Sequence, residues 1–185
     1  GIVLNANHLT VRGCEITETQ WHGISADTSG QTKNGGTMIQ DIKILNNLVY
    51  HTTLAGSDGQ AISIIADGFL VQGNTVRFNT REAIDIWLEA RHGRVAGNII
   101  YGVYGQRTDG RPPGGGILVD GADGIDIDGN TIYNTRFGIG VSSENPYYAT
   151  QRIQVFNNII YDNTGSGLFM WDSAGGISDG SQDVL

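Results

Sequence analysis

The sequence predicts an all-β solenoid, a stack of similar coils of chain, and three observations lead to this fold class. A short motif occurs six times in the 185 residues: an alternating apolar segment, then Gly-Asn, Asn-Asn or Gly-Cys, then an apolar segment again. Apolar and polar residues alternate along most segments, which is the period of a β-strand with one buried face. No long window carries the apolar periodicity of an amphipathic helix.

The motif recurs at an interval typical of repeat proteins. Its copies read LTVRGCEI, IKILNNLV, FLVQGNTV, RVAGNII, IDIDGNTI and IQVFNNII. The second residue of the central pair falls at Cys14, Asn47, Asn74, Asn98, Asn130 and Asn158. These positions lie 33, 27, 24, 32 and 28 residues apart. Periods of about 20–50 residues are typical of solenoids and propellers.

A second alternating segment follows each motif after a stretch of variable length. These segments are HGISAD (22–27), QAISIIAD (60–67), EAIDIWLEA (82–90), GGILVDG (115–121), FGIGVSSE (137–144) and SGLFMWD (166–172). Two short strands per repeat without a helix exclude leucine-rich and ankyrin repeats, and a propeller blade needs about 40 residues. The remaining architecture is a parallel β-helix of about six to seven coils over residues 1–172, followed by an irregular tail at 173–185.

Stacking of the coils places equivalent side chains in columns. An Asn column can form an amide ladder, because asparagine tolerates left-handed turns and its amides bond to one another when stacked in register. We therefore expect the repeated Asn residues to be structural. Tyr50, Tyr101, Tyr133 and Tyr161, each three residues after the Asn, predict an aromatic stack with Arg77 in the remaining coil.

Charge and composition exclude several classes of partner. The net charge of −8 argues against nucleic acid and anionic membrane surfaces. No apolar run is long enough for a membrane-spanning helix. The arginines concentrate between residues 77 and 111, so an acidic polysaccharide could still bind locally.

The Gly-Asn-x-Ile turns and Gly-Ile-x-Val strands resemble the right-handed parallel β-helix repeats of the pectate-lyase-like superfamily. The resemblance covers residues 1–172, and GGGILVDGADGIDIDGNTIYNTRFGIGVSSEN (114–145) is most similar to secreted bacterial members with carbohydrate activity. It implies a right-handed coil, a secreted or cell-surface protein and a polysaccharide partner. Relatives include lyases, glycoside hydrolases and non-catalytic surface proteins. Such proteins usually carry an N-terminal capping helix, which this sequence lacks, and an uncapped stack favours end-to-end or oligomeric self-association.

In relatives the second strand and its edges carry the active site, so its outward residues are the first candidates here. Four carboxylates on three consecutive coils are predicted to be catalytic: Asp85, Glu89, Asp120 and Glu144. Neighbouring carboxylates repel, which raises the pKa of one and prepares an acid beside a base. The alternative is that they form ion pairs with nearby arginines or cap turns.

The spacing of these carboxylates leaves the reaction type open. Asp85 and Asp120 lie one coil and two residues apart, about 8 Å, which favours an inverting hydrolase. The same oxygens could instead hold Ca²⁺ in a lyase, with Arg91 or His92 as the proton acceptor. The residues predicted to bind substrate are Arg81, Trp87, Arg91, His92, Tyr147 and Trp171. His92 as a turn residue and Trp87 packed beneath a loop are the structural alternatives.

The sequence therefore predicts a polysaccharide-degrading β-helix, a glycoside hydrolase or lyase whose groove crosses coils three to five. No cofactor is required, and Ca²⁺ is compatible with the carboxylates. The alternative is a non-catalytic fibre-forming or glycan-binding module.

Overall fold

The structure is a computed structural model that describes residues 1–26, 37–53, 59–103, 114–143, 148–172 and 182–184. Its regular secondary structure consists of β-strands throughout these residues. Within them there is no helix that is long and apolar enough to cross a membrane.

Twenty described strands form three parallel sheets. Sheet A contains β1 (Ile2–Val3), β4 (Ile24–Ala26), β7 (Ile62–Ile64), β10 (Ile84–Trp87), β13 (Ile117–Asp120), β16 (Ile139–Ser143) and β19 (Leu168–Asp172). Sheet B contains β2 (Thr10–Arg12), β5 (Gln40–Leu45), β8 (Asp67–Gln72), β11 (Arg91–Ala96), β14 (Asp123–Asp128), β17 (Gln151–Phe156) and β20 (Gln182–Val184). Sheet C contains β3 (Glu15–Thr19), β6 (Leu48–Thr52), β9 (Thr75–Arg77), β12 (Ile99–Val103), β15 (Thr131–Thr135) and β18 (Ile159–Tyr161).

Each coil runs through sheets B, C and A in that order, and every strand pairs in parallel with its equivalents in the adjacent coils. The fold is therefore the right-handed parallel β-helix that the sequence predicts, and coils one to six begin at β2, β5, β8, β11, β14 and β17. The second segment of every predicted repeat is the sheet A strand.

The prediction of two strands per coil is wrong, because each Gly-Asn motif contributes two strands rather than one. The residue before each ladder position has a positive φ, which turns the chain from sheet B into sheet C. These residues are Gly13, Asn46, Gly73, Gly97, Gly129 and Asn157, with φ between 54° and 67°. Glycine and asparagine are the residues that enter this left-handed region most readily, which explains the motif.

Inward side chains from all three sheets form one continuous core. Ile62, Ile84 and Ile117 are consecutive in one sheet A column, and all three are fully buried. Val71 and Val95 continue the same core beneath sheet B. Each coil therefore also buries apolar surface of the coils before and after it.

The predicted asparagine ladder runs along the corner between sheets B and C. The Nδ2 atom of each asparagine donates to the Oδ1 atom of the next, at 3.0 Å for Asn47–Asn74 and Asn74–Asn98 and at 2.9 Å for Asn98–Asn130 and Asn130–Asn158. The backbone N–H of each donor residue reaches the same oxygen. Nδ2 also donates to a carbonyl of sheet B in the preceding coil; the acceptors are Val11, Ile44, Val71, Val95 and Ile127.

The predicted aromatic stack lies on the outer face of sheet C. The ring centroids of Tyr101 and Tyr133 are 5.1 Å apart, and those of Tyr133 and Tyr161 are 5.0 Å apart, with nearly parallel planes. Arg77 fills the remaining position, and its guanidinium lies 5.0 Å from the Tyr50 ring centre. Burial is the main cause that raises the pKa of Tyr133 above its ordinary value.

Of the tail at 173–185, the structure describes Gln182–Val184 as strand β20, which pairs with β17. Strand β19 ends at Asp172, and residues 173–181 and 185 lie outside the described part, so the predicted boundary at residue 172 stays a prediction.

Replacing a ladder amide should destabilise the fold far more than replacing a surface amide. Asn98→Ala removes one buried acceptor and two buried donors, so we expect a loss of about 3 kcal/mol or more in the free energy of unfolding. Gln154→Ala, at an exposed position on β17, is the control and should change stability little. Urea unfolding measures both, and equal midpoints for the two variants would contradict a structural role for the ladder.

Candidate functional site

A groove of about 750 Å³ crosses the outer face of sheet A and the corner where the chain leaves sheet C. We call it the sheet A groove. It is lined by side chains from coils three to six: Arg81, Glu82, Leu118, Arg136, Phe137, Gly165, Ser166, Phe169, Met170 and Trp171. The sequence placed the groove at coils three to five, and this one extends one coil further.

Two aromatic rings form the floor of the sheet A groove because two glycines leave room for them. A Cβ atom on Gly115 would overlap the Phe137 ring, and one on Gly140 would overlap the Phe169 ring. The two rings meet edge to face, with centroids 4.9 Å apart. Trp171 adds a further ring that is 52% exposed.

Charged side chains stand at the corner side of the groove. Glu82 precedes β10 and is only 5% exposed. Its Oε2 atom lies 3.2 Å from Arg81 Nε, and that oxygen accepts no hydrogen bond from any residue that the structure describes. Arg136 lines the groove two coils above Arg81. The groove therefore combines two guanidinium groups, one buried carboxylate and three aromatic rings.

Glu82 and Arg136 were not among the residues predicted from the sequence. That search followed the outward positions of the second strand, whereas both residues precede their strands, in the turn that leaves sheet C. The sequence did contain a signal for Glu82. The equivalent positions in the next two coils are Gly115 and Phe137, so this column changes from a charged to an uncharged residue.

The register of sheet A agrees with the predicted offset between Asp85 and Asp120. Asp85 pairs with Leu118, and Trp87 pairs with Asp120. Asp120 then continues through Ser142 to Trp171 in one outward column. Asp85 itself is 4% exposed, so its carboxylate is enclosed rather than presented at the surface.

Trp87 is held by packing and by one hydrogen bond. Its Nε1 atom donates to Ser63 Oγ at 3.2 Å, and its ring packs against a small apolar cluster of Met38, Ile65 and Leu88. These contacts leave Trp87 only partly exposed. It does not line the sheet A groove.

Glu89 lies at the turn out of sheet A, where it and Leu88 have φ values of 70° and 47°. Its carboxylate accepts a hydrogen bond from the Tyr148 hydroxyl, and this bond is the main cause that raises the pKa of Tyr148. Tyr148 also packs against the same apolar cluster as Trp87. Glu89 therefore anchors the turn to the segment of coil five that precedes β17.

Arg91 and His92 lie on sheet B rather than beside the sheet A carboxylates. Arg91 Nε is 3.1 Å from Asp67 Oδ2, and His92 Nδ1 is 2.7 Å from Asp67 Oδ1. Burial raises the pKa of Asp67, but the hydrogen bonds from His92 and Arg91 outweigh it and lower the pKa below its ordinary value. Both side chains are therefore engaged by Asp67 on sheet B.

Of the remaining predicted residues, Arg81 and Trp171 line the sheet A groove, whereas Glu144 and Tyr147 lie outside the described residues. Within the described part, no three or more His, Cys, Asp and Glu side chains form a group that could hold a metal ion. Calcium binding therefore stays a prediction.

A substitution at Gly115 tests how the Phe137 ring packs on the floor of the groove. Gly115→Ala should force the buried Phe137 ring to move and cost about 1–3 kcal/mol through overpacking. Gly167→Ala is the matched control, since its Cβ would meet only Ile160 at an ordinary 3.5 Å. Thermal unfolding compares the two, and a Gly115→Ala variant as stable as the control would contradict the described ring position.

Comparison with known proteins agrees with the geometry. A family model described as "Right handed beta helix region" matches residues 1–180. The chain is also 34% identical over 176 residues to YwoF, an uncharacterized protein of Bacillus subtilis (strain 168). The match covers 89% of this chain but 38% of that relative, so the chain spans well under half of its length. The chain belongs to the right-handed β-helix family.

Proposed function

We propose that this β-helix binds a polysaccharide in the sheet A groove and cleaves it by hydrolysis or by lyase elimination. The observation that carries the proposal is the composition of the groove, in which aromatic rings, guanidinium groups and a buried carboxylate line one open cleft. Sugars offer apolar C–H faces and polar hydroxyl edges, and this lining matches both.

The aromatic residues suit the apolar face of a sugar ring. Phe137, Phe169 and Trp171 contribute flat surfaces from coils five and six. The groove extends over three coil spacings, about 14 Å along the axis, which is long enough for an oligosaccharide segment. Most of the Trp171 ring is exposed, so a ligand can reach it without a rearrangement of the fold.

The charges of the groove differ from those of the protein as a whole. Arg81 and Arg136 line it although the net charge is −8. Glu82 offsets one of them, which leaves a local excess of positive charge among the lining residues. The groove can therefore accept a neutral glycan or one with a carboxylate near Arg136. A secreted or cell-surface location is consistent with such a ligand.

Among the four predicted catalytic carboxylates, we favour Asp120 for a reaction at this groove. It belongs to the same outward column as Trp171, two coils away, and its strand neighbour Leu118 lines the groove. Asp85 is one coil below on the same sheet. We keep Asp85, Glu89, Asp120 and Glu144 as the proposed acid and base candidates.

A non-catalytic module is the second candidate, because a groove lined by aromatic and charged side chains can bind a glycan without cleaving it. Such a module would bind glycan without turnover, or would assemble without binding glycan.

A matched pair of tryptophan variants tests the proposal. Trp171 and Trp21 are almost equally exposed, at 52% and 53%, but only Trp171 lines the groove. Trp171→Ala should weaken binding of the recognised polysaccharide roughly 3- to 10-fold through the lost aromatic contact. Trp21→Ala should leave it unchanged. Affinity electrophoresis in xylan, mannan, β-glucan and polygalacturonate measures both, alongside assays for reducing ends and unsaturated products.

The outcomes separate the candidates. Binding and product formation support an enzyme, and binding without product supports a glycan-binding module. No binding to any of the four polysaccharides, together with concentration-dependent sedimentation, would contradict the proposal and favour an assembly module.

A further inference from the structure

We propose that Glu82 is the acceptor that anchors one sugar residue at the coil-three end of the sheet A groove, through a free sugar hydroxyl. This inference rests on the proposed function. It concerns a residue outside the predicted catalytic set and assigns a recognition role to its side chain.

The first observation is a buried carboxylate with one oxygen that lacks a hydrogen bond. The Glu82 side chain is 7% exposed, and its Oε2 atom accepts no hydrogen bond from the described residues. Burying a charged group without hydrogen bonds is costly, and its ion pair with Arg81 compensates only in part. By contrast, the asparagine ladder satisfies both polar atoms of each interior amide. We therefore assign this carboxylate a role in ligand binding rather than in the stability of the fold.

The second observation is the absence of a side chain in the coil above. The register of sheet A places Gly115 directly over Glu82 and Phe137 over Gly115. Gly115 contributes no side chain, and the Phe137 ring extends into the space that it leaves. Glu82 and the Phe137 ring therefore line the same groove in one column, with only Gly115 between them. A sugar residue could direct a hydroxyl toward Glu82 while its C–H surface contacts the ring.

The third observation concerns the donors near this position. Arg136 lines the groove, and its side chain makes no ion pair or hydrogen bond within the part of the chain that the structure describes. A guanidinium can donate to a sugar oxygen while the carboxylate accepts from a neighbouring hydroxyl. The site thus requires an unsubstituted hydroxyl at Glu82 and disfavours an anionic group there through charge repulsion.

The test measures binding and stability together. The probe is the oligosaccharide, prepared from xylan, mannan, β-glucan or polygalacturonate, that the unchanged protein binds. Glu82→Gln keeps the size of the side chain but removes its charge, and it should raise the Kd about tenfold or more. Its melting temperature should stay the same or rise. Glu18→Gln, at an exposed position on sheet C, is the control and should change neither quantity.

A methylated form of the same oligosaccharide completes the cycle. If the hydroxyl contact is real, the difference in Kd between the unchanged protein and Glu82→Gln disappears with the methylated probe. A difference of the same size with both probes would overturn the proposal.

Failure of this inference is distinguishable from failure of the proposed function. If the unchanged protein binds none of the four oligosaccharides, the proposed function fails, and the role of Glu82 fails with it. If it binds one and Glu82→Gln binds equally well, only the role of Glu82 is overturned. If Glu82→Gln and Glu82→Leu both unfold at 25 °C, Glu82 belongs to the fold and the inference is wrong.

Discussion

Hydrogen bonds of the buried asparagine amides join each coil to its two neighbours, and the rest of the structure depends on this connection. The amide of Asn98, for example, donates to a carbonyl of coil three and to Asn130 of coil five, and it accepts from Asn74. A slip of one residue would leave these buried groups unpaired and turn inward apolar side chains outward. The ladder thus fixes register, although the intervals between its members vary from 24 to 33 residues.

Register is what connects the ladder to the sheet A groove. Loops of different length are accommodated between sheets, while the strands of sheet A stay aligned coil by coil. Residues as distant in sequence as Arg81 and Trp171 therefore line one cleft. The two glycines beneath the aromatic rings illustrate the same constraint, because a ring from one coil fits only where the adjacent coil has no side chain. The sheet A groove therefore depends on the alignment of successive coils more than on any local sequence motif.

The parts of the fold that could be predicted are those with a repeated local signal. Glycine or asparagine before each ladder position marked the first corner, and alternation marked the sheet A strands. The third strand of each coil was missed because the two apolar segments on either side of the central pair were interpreted as one strand. A second column of positive φ on sheet C gave no signal, since only Gly102 among its members is a glycine. The others are Glu18, His51, Phe78, Asn134 and Asp162. Likewise, Arg91 and His92 follow Glu89 in sequence but lie on another sheet.

The most direct test of the account is hydrogen exchange of the ladder amides, measured by NMR in the native state. The side-chain Nδ2 protons of Asn74, Asn98 and Asn130, and their backbone amide protons, should exchange only through global unfolding, so that all report one common free energy. Exposed side-chain amides such as that of Gln154 should exchange at the rate of a solvated amide. Rapid exchange of the ladder protons in a protein that remains folded would contradict the claim that these bonds hold the coils in register.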